Sequence, residues 1–451
     1  MGKTMNSTNN KPGRFRWVIA SLIFCVYTVA AADRANIGVV LPFIRSDFHM
    51  SNTEAGALAS LFLLAYAIAQ IPSGFLYAKF GVRKIFSISM ILTSLATCFV
   101  GFSTSILGLK VSRFILGLAE GPLPIGITST INRWFPASEK GLVTAIFLSA
   151  AKFGPVLVPP LCAIIIYHYS WHYVFYFFAI PGLFLSVIWY LIVTNSPRES
   201  KFCSPEELDI IEEKIPTGKV IAHTQKSRPI YANEKSFKLL DRIIRTKEVP
   251  LISTKKEIFK SWNVLGSMLG YFFMMGIVNV LLAWIPTYLM NEKGFSVMKM
   301  GMLASAPWIG AVIGNLLGGW CSDRLLNKRR KPLMMASAIA TVVMMITLIN
   351  APDNPIILGG LLLLTGILFN LGFSAYMVYP MALTTKEVFP IAGSIINTGG
   401  QLGGAACPLI AGLLLDNFSW GYVFGFMAIC SFLCLLVLMT INEPIQTKAT
   451  L

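Results

Sequence analysis

Long apolar runs recur along the chain, separated by short polar segments and once by a long one. Eight runs contain no Asp, Glu, Lys or Arg: Ala55–Ala78, Ile85–Leu109, Ser261–Asn291, Met300–Ser322, Pro332–Pro352, Asn354–Thr385, Val388–Leu415 and Asn417–Asn442. Trp17–Phe43, Gly108–Ile131, Leu142–Tyr167 and Trp171–Thr194 complete a set of twelve. A helix needs about 20 predominantly apolar residues to cross a bilayer, and every run meets that length. The pattern therefore predicts an all-α membrane protein with twelve spans in two six-helix halves. Residues 1–16 form a polar tail, 17–194 the first six spans, 195–260 a polar linker, 261–442 the second six, and 443–451 a second tail. Within the linker, Ser204-Pro205-Glu206-Glu207 offers an N-cap, a proline at the first helical position and acids in the first turn, which predicts a short helix over about 205–215.

The start of the chain imitates a signal peptide. Lys11, Arg14 and Arg16 precede an apolar run ending in Ala30-Ala31-Ala32, a small-residue pattern of the cleavage type. Apolarity resumes at Ile37–Phe43, so the run is read as the first span. An even number of spans places both tails on one side.

Composition agrees with a membrane protein: 451 residues, 55% hydrophobic and 13% charged. The net charge of +16 would suit a nucleic-acid binder, but its placement gives a different reason for its sign. Of 37 Lys and Arg, only Arg45, Lys110, Lys293 and Lys299 fall on the side opposite the tails, and three lie inside the spans. An excess of Lys and Arg in cytoplasmic loops is the usual sorting rule. The expectation is a plasma-membrane protein, in a bacterium the inner membrane, with both termini cytoplasmic and lipid rather than nucleic acid as its partner. The eight cysteines show no metal-type spacing. No catalytic triad or phosphate loop is present, so neither an enzyme nor a metal or organic cofactor is expected.

Five charges interrupt the spans: Asp33, Arg34, Arg113, Glu120 and Lys152. An ionised group at the bilayer centre costs about 2.5–3.5 kcal/mol on insertion scales, so such groups usually face a cavity and act there. Adjacent helical residues point about 100° apart, so Asp33 and Arg34 cannot face one spot. Arg113 and Glu120 lie two turns apart on one helical face, about 10 Å along the axis. Two acids and three bases leave one surplus positive charge, which a bound carboxylate would neutralise. Arg in fork geometry or Lys as a point charge suits that task. Structural pairing of Arg34 and Arg113 with Asp33 and Glu120 is the alternative use of the same residues, and a snorkelling lysine is the alternative for Lys152. The four histidines fall in loops or at span ends, leaving Asp33 and Glu120 as carriers for a coupling proton. Desolvation raises a carboxyl pKa and a nearby cation lowers it, and a proton-coupled switch requires that competition. Tyr66 and Gln70, Asn279, Asn370, Tyr376, Tyr379, Asn397 and Gln401 are polar positions that can line a cavity or bond between helices.

The two halves read as a repeat. Gly74-Phe75-Leu76-Tyr77-Ala78-Lys79-Phe80-Gly81-Val82-Arg83-Lys84 follows the second span, and Gly319-Trp320-Cys321-Ser322-Asp323-Arg324, with Lys328 to Lys331, follows the eighth. Gly154-Pro155 and Pro159-Pro160 have counterparts in Gly403-Gly404 and Pro408. Halves related by an axis along the membrane normal imply a transporter with its site at the midplane between them.

The short-loop pattern G-x-L-x-D-R-x-G-R-R/K resembles that of the major facilitator superfamily, and the resemblance covers residues 17–442. Four further pieces occur in order: Asp33-Arg34-Ala35-Asn36, Arg113 to Pro122, Trp134-Phe135-Pro136-Ala137-Ser138-Glu139-Lys140-Gly141, and Trp284-Ile285-Pro286-Thr287-Tyr288-Leu289. Together they resemble the anion:cation symporter family, especially its bacterial sugar-acid carriers of the galactonate, glucarate and hexuronate type. The charge surplus makes Arg34, Arg113 and Lys152 substrate-binding candidates; the resemblance implies proton coupling through Asp33 and Glu120, adds Tyr66 and Asn397 to the sugar-acid site, and gives a gating motif at Gly74, Gly81, Arg83, Asp323 and Arg324. Two departures stand out. Ala78 occupies a place where the pattern has Asp, and Lys152 stands where related carriers often have a neutral Gln. The expected function is import of a small organic anion, a sugar acid, by proton symport in a monomer. An anion exchanger, an importer of another carboxylate and a membrane sensor on a transporter scaffold remain open on sequence alone.

Overall fold

The structure is a computed structural model that describes residues 13–213, 244–326, 329–385 and 388–445. Most of the N-terminal tail, the middle of the linker with His223, the basic residue Lys328, and the last six residues lie outside the described residues. Among the described residues, twelve spans are long and apolar enough to cross a membrane. Span 1 is Phe15–Phe48, and spans 2 and 3 share one helical run, Asn52–Phe102. Span 4 comprises Ile106–Glu120 and Leu123–Trp134, span 5 is Ala137–His168 and span 6 Trp171–Ile192. In the second half, span 7 is Trp262–Thr287, span 8 comprises Val297–Ala304 and Ala306–Trp320, and span 9 is Lys331–Ile349. Span 10 comprises Pro355–Asn370 and Phe373–Leu383, span 11 is Phe389–Asn417 and span 12 Trp420–Thr440.

Backbone chemistry sets the breaks. Spans 2 and 3 turn at Gly81, where φ is 78° and ψ 167°, a region essentially restricted to glycine. Span 4 breaks just after Glu120, at Gly121-Pro122, and span 10 breaks at the corresponding place after Asn370. The repeat extends to packing. Gly154 of span 5 abuts Ala31 and Ala32 of span 1, while Gly403 of span 11 abuts Phe272 of span 7.

The linker helix starts at Pro205 as predicted and runs to Ile211, with Ser204 Oγ accepting the Glu207 amide at 3.2 Å. Glu207 itself is fully buried and accepts the first amides of span 1, Phe15 N at 3.1 Å and Arg16 N at 2.9 Å. At the start of span 9, Glu443 accepts Arg330 N at 3.0 Å and Lys331 N at 2.7 Å. A short parallel pair, β1 (Thr246–Glu248) and β2 (Glu443–Ile445), holds the two chain segments in register.

The core is divided unevenly. One cluster joins the second half to residues of the first on the side opposite the termini, including Ile37, Leu41, Leu58, Cys162 and Trp171. A separate cluster, including Ile19, Ile23, Phe86, Ile127 and Trp134, belongs to the first half on the terminal side. On the far side the backbones nearly touch: a Cβ on Gly38 would lie 2.1 Å from the Leu282 carbonyl, and one on Gly412 2.4 Å from that of Asn52. Ser305 Oγ also donates across the halves to Val156 O at 2.9 Å. The halves are thus packed together beyond the middle of the membrane and split toward the termini.

Candidate functional site

Four of the five intramembrane charges converge between spans 1, 2 and 4. Gly117 lets span 4 approach span 2 so closely that a Cβ there would lie 2.2 Å from the Phe62 carbonyl. This contact brings Arg113 and Glu120 against Leu58, Phe62 and Tyr66. Glu120 has no exposed surface, and its Oε1 accepts Arg34 Nε at 2.5 Å. Arg34 Nη2 also donates to the Tyr66 hydroxyl at 3.2 Å, and its guanidinium lies 4.7 Å from the centroid of that ring and 5.6 Å from that of Tyr27. The other carboxylate oxygen, Glu120 Oε2, is buried with no hydrogen-bond partner.

The pairing crosses between helices rather than linking neighbours in sequence. Among the described residues, Arg34 pairs with Glu120 and not with adjacent Asp33, and neither Asp33 nor Arg113 joins an ion pair within 4.0 Å. Arg113 is 1% exposed and is held by backbone oxygens, with Nε donating to Leu58 O at 3.3 Å and Nη1 to Asp33 O at 3.4 Å. Its guanidinium lies 4.7 Å from the Phe62 ring centroid. The Asp33 carboxylate, also 1% exposed, accepts Asn36 Nδ2 at 3.4 Å.

A half-open cavity adjoins these groups, with about 310 Å³ of empty space counting the open volume at its mouth. Arg34, Arg113 and Phe62 line it from the first half, and Asn279, Leu282 and Ala283 from the second. Arg34 keeps 23% of its side-chain surface exposed while Glu120 keeps none. A ligand therefore meets the arginine, and the carboxylate lies behind it.

Lys152 lies outside this group. Its Nζ is 4.1 Å from the ring centroid of Phe373, a residue of the opposite half. It is half-buried and forms no ion pair within 4.0 Å among the described residues. Asn397 is half-buried on span 11 and does not line the cavity. Tyr376 and Tyr379 turn away from it: the first hydroxyl meets Cys434 Sγ at 3.0 Å and the second donates to Asn442 O at 2.5 Å. Asn370 Nδ2 donates within its own helix to Gly366 O at 3.0 Å.

The gating motif splits in character. Arg83 Nε donates to Tyr190 O at 2.7 Å, and Asn195 Oδ1 accepts Arg83 N at 3.1 Å, so this end of spans 2 and 3 is tied to the end of span 6. Gly74 is exposed, with open space where a side chain would stand. In the second half, Asp323 pairs with Arg330 at 2.9 Å, and Arg324 is exposed. Phe373, Leu58 and Phe62 were not singled out by sequence. A backbone carbonyl leaves no sequence signal, but Phe373 directly follows the Gly372 break in span 10, which is one.

Comparisons with known proteins bear on the twelve-span fold and on its relatives. The Major Facilitator Superfamily model matches residues 23–406. The chain belongs to the major facilitator superfamily. Among curated members, the chain is 29% identical to the probable galactarate/D-glucarate transporter GarP of Escherichia coli K12, over 93% of this chain and 94% of that one. It is 28% identical to the D-galactonate transporter of Escherichia coli O6:H1, over 91% of each. Among solved major facilitator structures, the D-xylose-proton symporter superposes with a TM-score of 0.71 at 17% identity, covering 95% of this chain and 98% of that one. Fold and relatives are those of transporters, not enzymes.

Proposed function

We propose that this major facilitator protein imports a sugar acid into the cytoplasm by proton symport, as a monomer in the bacterial inner membrane with both termini cytoplasmic. One observation carries the reading: Arg34 is shared between a buried carboxylate and an open cavity. A substrate carboxylate that engages Arg34 competes with Glu120 for the same guanidinium. Glu120 then loses its ion-pair partner, and a buried carboxylate without one is strongly disfavoured unless it takes a proton. Substrate and proton thus bind together because each removes the obstacle to the other. The partnerless Glu120 Oε2 is the atom assigned to receive the proton. Asp33, buried beside Arg113, serves as a second acid. Asn279, on the cavity wall, and the Tyr66 hydroxyl, behind Arg34, are the groups we assign to sugar hydroxyls.

The relatives support the substrate class, since their names specify sugar acids with one carboxylate and with two. The fold supports alternating access by rocking of the halves about the site. The split terminal side and packed far side correspond to the cytoplasm-open end of that cycle.

Reconstitution in liposomes tests the reading. An imposed inward proton gradient should drive accumulation of a radiolabelled sugar acid, and a protonophore should abolish it. Binding of sugar acids without uptake or counterflow would favour the sensor. Counterflow without gradient-driven accumulation would favour the exchanger.

A further inference from the structure

Among the described residues, Lys152 is a charge at membrane depth without an ion-pair partner. Arg34 has Glu120, and Arg113 has two backbone carbonyls with Asp33 beside it. For Lys152 the described contact is the face of Phe373. An ammonium over an aromatic face keeps its three N–H donors available to a ligand. The residue lies midway along the 32-residue span 5, too deep for its head to reach the interface by snorkelling.

Its depth can be placed against the arginine site. Span 5 crosses span 1 where Gly154 abuts Ala31 and Ala32. Lys152 precedes that crossing on the terminal side, and Arg34 follows it toward the far side. At 1.5 Å rise per residue the two Cα positions are staggered by about 7 Å along the helix axes. Two cationic centres therefore lie at different depths, Arg34 at the cavity and Lys152 nearer the terminal side, where the Phe373 ring of the opposite half faces it.

We infer that Lys152 forms a second anion subsite and that the preferred substrate carries two anionic groups, one at each end of a short chain. This rests on the proposed sugar-acid function. One carboxylate engages Arg34, releasing Glu120 to be protonated. The other engages the Lys152 N–H donors that the Phe373 ring leaves free, at the contact between the two halves. Charge balance agrees. With both acids ionised the five groups carry one net positive charge. Protonating one carboxyl raises it to two, and a dianion then neutralises the loaded site. A monoanion reaches only one centre and leaves the other cation bare.

The experiment compares three probes of equal chain length: a six-carbon sugar dicarboxylate, the corresponding monocarboxylate and the neutral polyol. Binding is read by thermal stabilisation of the purified protein and uptake in proteoliposomes, for wild type, Lys152→Gln, Lys152→Met and Lys152→Arg. Wild type should bind the dicarboxylate about tenfold or more tightly than the monocarboxylate, as expected when one partner of a buried charge pair is missing. Lys152→Gln and Lys152→Met should lose that preference through weaker dicarboxylate binding, and Lys152→Arg should keep most of it. Should either neutral variant fail to fold, the other and the wild-type preference still decide. A wild type that prefers the monocarboxylate, a preference that survives in the neutral variants, or binding of neither acid overturns the inference. Dicarboxylate binding that depends on Lys152 without uptake would sustain the subsite and overturn the transport reading instead.

Discussion

Asp416, at the end of span 11, closes on Thr53 at the start of span 2 in the opposite half. Its Oδ2 accepts Thr53 N at 2.8 Å and Thr53 Oγ1 at 2.5 Å, while Oδ1 accepts Asn52 N at 2.7 Å. Span 2 satisfies two of its first amides by its own capping box, in which Ser51 Oγ accepts Glu54 N and Glu54 accepts Ser51 N. The other two are satisfied from across the molecule. An acid at the C-terminal end of its own helix is disfavoured by that helix's dipole and favoured at another's N-terminus. The position of Asp416 is therefore explained by the contact between halves and not by span 11.

Asp416→Ala should loosen the far side. Loss of a capping acceptor costs about 0.5–2 kcal/mol, enough to change the ratio of far-side-closed to far-side-open molecules several-fold. Pulsed-EPR distances between labels at the exposed positions Thr104 and Glu292, on a background free of native cysteines, read that ratio. A longer-distance population should grow in the variant. An unchanged distribution would mean that the packing of Gly38 and Gly412 alone holds the far side.

Glu120→Gln should abolish accumulation driven by a proton gradient while leaving counterflow of preloaded substrate. Gln preserves an oxygen for Arg34 Nε but cannot cycle between charge states. Counterflow requires the site to reorient with substrate bound and does not require proton release. Proteoliposome assays of both modes separate the cases. Equal loss of the two would make Glu120 a structural or substrate-holding group.

The fold was legible because its physics is local. Apolar runs of spanning length, the linker helix at Ser204-Pro205 and the repeat of loop motifs are all properties of neighbouring residues. The five buried charges were legible for the same reason, since a charge in an apolar run is conspicuous on its own. Their partners were not. Whether Arg34 meets Asp33, one residue away, or Glu120, on another helix, depends on how spans 1 and 4 are rotated against each other. The glycine face at Gly117 helps to set that contact, and a single sequence does not state it. The hydroxyls of Tyr66 and Tyr376 look alike in sequence, yet one meets Arg34 and the other a cysteine. The long-range roles of Glu207, Glu443 and Asp416 leave no sequence signal, because acids near membrane edges are ordinary and Glu207 reads only as a first-turn acid of its own helix. Each caps a helix from a distant part of the chain, a relation that only the tertiary structure reveals.

Arg113→Ala should lower stability as well as function. The Leu58 and Asp33 carbonyls keep their intrahelical partners but would each lose the bond from Arg113, at about 1 kcal/mol apiece, and the buried side chain leaves a void. The melting temperature in detergent should drop by several degrees. Arg113→Lys should fall between wild type and Ala, because an ammonium lacks the planar fork that reaches two carbonyls on different helices. If Arg113→Ala melts with wild type but no longer binds sugar acid, the residue serves the ligand and not the helix contact.

Gly81→Ala should weaken the turn between spans 2 and 3 for two separable reasons. The backbone at φ 78° and ψ 167° belongs to a region whose occupation by a side-chain-bearing residue costs about 1–3 kcal/mol. Independently, a Cβ there would lie 2.3 Å from Asn195 Oδ1, the atom that accepts Arg83 N. Asn195 also accepts Arg133 Nη1 through its carbonyl at 2.9 Å, so its displacement loosens the ties of spans 3 and 4 to the end of span 6. Thermal melting of Gly81→Ala, Asn195→Ala and the double variant separates the two causes. The double variant should be more stable than the sum of the single losses, because removing the Asn195 side chain relieves the clash, yet it should stay below Asn195→Ala because the backbone cost remains. Strict additivity would eliminate the clash, and a Gly81→Ala protein that melts with wild type would show that the turn does not require this backbone conformation.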